Sequence, residues 1–219
     1  MGNNYACIHI RTEDIEKTSS RIIEMYDTTV GLEGINPLVR DEYLKIVENA
    51  KLLGNSLLNS VLRIDNDVTI LETNGMVSVY DKNLSFETVV EKAKEISRKV
   101  AEPVLYLSGF DGDIFIFGVL KKGKLCTNGV VGETPQDYGV DECCADMSIL
   151  RESLCFPVEN LERLFNETDD VFDLIENLQQ EFERLLEVPL NFRRDWISLY
   201  EGAYQKKREN NGVVIYERS

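Results

Sequence analysis

Two aspartates flanking a glycine, Asp111-Gly112-Asp113, come nearest in this sequence to a reactive constellation. Paired carboxylates beside a residue that turns sharply suit a divalent cation. The same letters suit a turn before a strand, because Asp accepts local backbone hydrogen bonds and Gly takes the awkward dihedral. Calcium loops need a fuller ladder of ligands ending in a Glu at the twelfth position. Asp65-Asn66-Asp67 fails that test as well, with Ile70 where Gly is required and Met76 where Glu is required. Turn geometry is the first expectation for Asp111 and Asp113, and a binding site the second.

The thiols offer little more. Cys7 and His9 fall on one side of an alternating segment, and Cys143 and Cys144 are adjacent. Zinc wants three or four ligands, usually in C-x2-C pairs, and adjacent cysteines cannot easily face one ion. His9 is the only histidine. A Cys143 thiol activated by His9 is the one nucleophilic pairing left open, against the plain reading of semi-buried thiols. The five cysteines form no disulfide framework, so reduced thiols and a cytoplasmic location are expected. Gly31-Leu32-Glu33-Gly34 spells a GxxG clamp, but Glu33 has the wrong charge for a nucleic-acid backbone. Neither a phosphate loop nor a nucleophile elbow occurs. No cofactor and no metal are expected.

Charge points elsewhere. The formal net charge of -15 repels phosphate backbones and anionic lipid surfaces, which argues against nucleic-acid and membrane partners. Between Glu159 and Glu187 acids dominate, with Asp169, Asp170 and Asp173 close together. That stretch reads either as a solvated helix face or as a docking face for a basic protein. The tail is locally basic at Arg193, Arg194, Lys206, Lys207 and Arg208, and these side chains suit pairing with the acidic helix. Trp196, Tyr200 and Tyr204 suit one helical face. The N-terminus has neither the basic region nor the apolar run of a secretory signal, and no stretch is apolar enough to cross a bilayer.

These residues need elements to hold them. Alternation predicts a strand at Tyr5–Arg11, followed by a helix to about Tyr26. Residues 27–41 read as loop, and a helix then runs to about Arg63. Thr73-Asn74-Gly75 joins strands Val68–Glu72 and Met76–Tyr80, and Asn-Gly is a strong hairpin signal. Helical spacing follows from Ser85, read as N-cap, to Val100, and Pro103 ends it. Three strands come next, at Val104–Leu107, Asp113–Leu120 and Leu125–Val131. After a loop over 132–145, the pattern past Pro157 turns helical until Pro189, and Val213–Tyr216 is a last short strand.

That order predicts an α+β fold: a ferredoxin-like split βαβ antiparallel sheet extended by a β-hairpin. The strand at Asp113–Leu120 is apolar on both sides, so both faces of the sheet need cover. The C-terminal helices are expected to supply it. The organisation reads as a sheet domain over 1–132, with a helical insertion at about 27–66, and a mainly helical region over 133–219 packed on the same sheet. The RNA-recognition variant is excluded because Gly75–Tyr80 carries one aromatic and no basic residue.

The leading functional expectation is a non-catalytic protein-binding or regulatory protein, of which an immunity-type inhibitor of a basic enzyme is one version. The alternative is a small-molecule-binding or enzymatic domain with a pocket near Asp111, Asp113 and the 132–145 loop. A homo-oligomer is compatible with either.

Overall fold

The computed structural model describes residues 4–28, 67–73, 75–192, 203–210 and 213–218. The helical insertion expected at 27–66 lies outside these residues beyond Thr28, as do Arg193, Arg194, Trp196 and Tyr200.

Alternation makes β1 (Tyr5–Arg11), whose Ala6, Ile8 and Ile10 enter one core while Cys7 enters another. Asp14 starts α1 (Ile15–Thr28) by accepting from the Lys17 amide. Strands β2 (Val68–Thr73) and β3 (Met76–Asp81) form the hairpin that Asn-Gly signals. Thr73 pairs with Met76, and Gly75 takes the positive φ of 78° that a turn this tight requires. Helix α2 (Val89–Lys99) begins three residues later than the Ser85 cap implies. The reason is local: the Ser85 and Thr88 hydroxyls bond each other at 3.1 Å and hold a separate turn there.

Then come β4 (Val104–Phe110), β5 (Ile114–Lys121) and β6 (Lys124–Gly132). A 3-10 turn at Pro135–Tyr138 precedes α3 (Met147–Leu154), which lies between the loop expected over 132–145 and the helical run past Pro157. Asp146 caps α3 by accepting from the Ser148 amide at 2.9 Å. The helical run after Pro157 is two helices, α4 (Glu159–Glu167) and α5 (Val171–Leu186). Strands β7 (Tyr204–Asn210) and β8 (Val213–Arg218) complete the described elements.

The eight strands form one open sheet in the order β6-β5-β4-β1-β3-β2-β8-β7. Two expectations are corrected here. The sheet is mixed rather than antiparallel, since β8 runs parallel to β2, and its full order is not that of a ferredoxin-like sheet. A parallel neighbour needs a long connection, and the C-terminal helices provide one. Tyr204 is not on a helix face; it opens β7, because this segment pairs with β8.

Both faces of the sheet are covered. Ile114 and Ile116 join the layer containing Ile22 and Ile96 from α1 and α2. Phe115, Phe117 and Val119 face Leu150, Leu161, Leu178 and Phe182 from α3, α4 and α5. Each fully buried Phe in that second layer contributes about 1.5–3 kcal/mol.

Candidate functional site

The sheet end carries Asp111 and Asp113. They form the β4–β5 hairpin, where Asp111 and Gly112 adopt φ of 52° and 80°. The Asp111 amide donates to Asn4 Oδ1 at 2.8 Å, and the Asp113 amide donates to Phe110 O at 3.0 Å. Both side chains are exposed. Asp113 Oδ2 accepts from the Tyr138 hydroxyl at 2.9 Å. Tyr138 stands edge-on to Phe110 and Phe86, with centroids 5.7 Å and 6.3 Å away. The Tyr138 phenol is held above its usual range, first by the bond to Asp113, then by desolvation and by the charges of Asp113, Asp111 and Asp137. Among the described residues no group of three His, Cys, Asp or Glu side chains is placed to hold a metal.

Cys143 belongs to another environment. Its carbonyl accepts from the Val130 amide at 2.8 Å, and its thiol donates to Asn128 O at 3.4 Å. It packs against the α1–α2 layer, whereas the His9 ring meets Tyr80 in the opposite layer. The sheet separates them, so the Cys143–His9 pairing is excluded.

His9 meets Cys7 instead. Residues two apart on a strand share a face, and His9 Nε2 lies 3.1 Å from Cys7 Sγ. Its Nδ1 lies 2.8 Å from Ser78 Oγ, directly across the β1–β3 pair. All three side chains are fully buried. This is the arrangement of thiol, imidazole and orienting hydroxyl that a nucleophilic site uses. Its electrostatics oppose that use. Burial pushes the Cys7 thiol well up, and the Glu183 charge pushes it further. Burial alone lowers His9 to about 3. The pair is therefore a neutral thiol and a neutral imidazole, closed off from solvent. The shared strand face was visible in the sequence; the third member, Ser78, was not.

The acidic helices present the third cluster. Asp170 is the N-cap of α5 and accepts from the amides of Phe172 and Asp173 at 2.9 Å and 3.0 Å. Asp169 and Asp173 are exposed, with no ion-pair partner among the described residues. Phe172 sits between them at 45% exposure. Further along α5, Arg184 grips Glu181 with both arms, at 2.8 Å and 2.7 Å. That bond, with a smaller contribution from Asn160, holds the Glu181 carboxyl below its usual range.

The described cations of the basic tail do not neutralise this face. Lys206 pairs with Glu209 in its own strand. Lys207 reaches the buried Glu72 at 2.8 Å, near Glu16 and Glu217. Among the described residues of the tail, only Arg218 touches the helical layer, at Glu187 beyond the end of α5. The reason is topological: β7 lies at the sheet edge beyond β8 and β2, so its cations meet sheet carboxylates first.

Compared with protein-family models, with curated proteins and with solved structures, the chain matches none.

Proposed function

We propose that this chain is a non-catalytic binding protein, regulatory or immunity-type, whose partner is a basic protein. The observation that carries the reading is the start of α5. There Asp169 and Asp173 stand unneutralised among the described residues, around a half-exposed Phe172. Aromatic anchors ringed by charge are a common form of interface hot spot. The net charge of -15 steers a basic partner toward such a face. The neutral, enclosed state of Cys7 and His9 also favours binding over catalysis. Five unpaired cysteines support a reducing compartment such as the cytoplasm.

A tagged protein used to capture partners from native lysate, at low and moderate salt, supplies the binding assay. The double variant Asp169→Lys/Asp173→Lys is expected to weaken a captured basic partner at least roughly tenfold and to flatten its salt dependence. Asp170 is left intact because it caps the helix. Unchanged affinity in that variant would remove the reading. Failure to capture any partner at either salt would favour a second one, a small-molecule site at Asp111, Asp113 and Tyr138. Its support is the aromatic trio beside carboxylates, which suits an organic cation.

For the fold, we propose that β4-β1-β3-β2 with α1 and α2 is a split βαβ unit of the ferredoxin-like kind. Its support is the chain order β1-α1-β2-β3-α2-β4, with all three neighbouring pairs in this block antiparallel. An experimental structure with a left-handed β1-α1-β2 crossover would remove this reading.

A further inference from the structure

The layer beneath α3, α4 and α5 contains a line of buried polar side chains on β1 and β3. On its β1 side stand Tyr5, Cys7 and His9, and β3 adds Ser78 and Tyr80. His9 is the only member whose side chain, once in water, gains a full charge on mild acidification. The ring touches Tyr80 edge-on at 6.1 Å. Tyr80 in turn donates to Pro189 O at 2.6 Å and packs on Phe192 at 5.2 Å. The imidazole is thus one contact away from the segment that follows α5.

Protonated His9 keeps its geometry but not its solvation. Ser78 Oγ and Cys7 Sγ can both accept from a doubly protonated ring, so its two hydrogen bonds survive. The charge does not. Charged side chains on the elements packed around the ring include Arg11 on β1 and Glu183 on α5, both exposed. Arg11 donates to Leu154 O, and Glu183 accepts from the Leu190 amide. Neither bonds to His9. Leu105 and Leu107 on β4 lie across from His9 and Cys7, Tyr80 meets the ring edge-on, and the same core holds Leu150 and Leu154 on α3 and the Tyr5 phenol. An imidazolium here is a buried cation bonded only to a hydroxyl and a thiol, with no carboxylate bonded to it, which the closed layer disfavours strongly.

We propose that His9 is an acid-release latch: protonation of its imidazole opens the C-terminal helical layer from the sheet while the α1–α2 layer stays closed. The asymmetry comes from composition. The opposite core contains no histidine, since the chain has only one. The sign follows from linkage. The open state takes up a proton below its ordinary pKa of about 6.5, and the closed state refuses it until about 3. Closure is therefore fully stable above that window and is lost as pH falls through it.

The test is amide hydrogen exchange on the full chain between pH 7 and pH 4, corrected for the intrinsic pH dependence of exchange. The opening constant of α3, α4 and α5 is expected to rise roughly tenfold per pH unit below about 6.5, the slope of one proton. Amides of α2 are expected to show no such slope. In His9→Gln the slope in the C-terminal layer should vanish. A second measurement needs no variant, because the lone imidazole resonance is unambiguous: it should stay neutral at pH 5 while the layer is closed. Three results would each overturn the latch. They are a flat pH profile in the wild type, a slope shared by α2, or an imidazole titrating near 6.5 with the layer still protected.

Discussion

Asp169 and Asp170 are neighbours with opposite standing. Asp170 satisfies two of the backbone donors that open α5, whereas Asp169 makes no such bond among the described residues. Replacing Asp170 by Ala is expected to cost about 1 kcal/mol, read as a lower urea midpoint with unchanged slope. Replacing Asp169 by Ala should stay within about 0.5 kcal/mol. Equal losses would mean that the cap bonds are not what stabilises this end. Lys207 shows a similar division at the tail. It is the extra residue of a β-bulge in β7, and the bulge aims it at the buried Glu72 while Lys206 stays on the surface. Its ammonium is held above its usual range, first by the hydrogen bond to Glu72.

At the scale of elements, the sheet repeats one packing device. Tyr5 lies across from Gly109, Tyr106 across from Gly118 and Phe117 across from Gly129. Each ring covers the glycine opposite it. A Cβ added at Gly118 would stand 2.5 Å from the Tyr106 hydroxyl, and one at Gly109 would stand 2.8 Å from the Tyr5 ring. These glycines are present because a ring occupies the space of their side chain. Gly118→Ala is therefore expected to destabilise the fold by about 1–3 kcal/mol, the range for overpacking a close-fitted core. A urea titration that found it neutral or stabilising would show that the Tyr106 ring can move aside. The edges follow a separate logic. In β6 a bulge at Cys126 interrupts the ladder, and the Val130 amide already serves Cys143. In β7 the bulge at Lys207 and the cations around it blunt the other edge. Bulges and lysines of this kind discourage edge-to-edge pairing.

For the whole molecule the dominant quantity is the charge of -15. Salt bridges on α2 and between Arg151, Glu159 and Glu162 pair some carboxylates locally without changing that net charge, and all of these are at least partly exposed and individually weak. Self-repulsion among the remaining carboxylates destabilises the folded state and is screened by salt. Raising NaCl from about 0.01 M to about 0.2 M is expected to stabilise the chain by about 1 kcal/mol, or 2–4 °C in Tm for a protein of this size. A Tm that falls over that range would mean that favourable ion pairs outweigh the repulsion. The same field that costs stability would steer a basic partner, so both effects should fade together as salt rises.

The sequence by itself determined the elements whose burial is periodic. The alternation of β1, the Asn-Gly turn, the two-faced strand β5 and the helices after Pro157 could be read because side-chain direction repeats with a fixed local period. It also determined the charge, and with it the class of partner worth testing. The candidate sites were legible only as letters. Asp111-Gly112-Asp113 read as a turn, and its bond to Tyr138 needed the 3-10 turn brought alongside. His9 and Ser78 are 69 residues apart, and Lys207 and Glu72 are 135 apart. Only the tertiary structure decided those meetings, the parallel docking of β8 and the separation of His9 from Cys143. The physical reason is that local pattern fixes which face a residue takes. Strand order and register fix which residue it then meets, and those are set by the packing of the entire sheet.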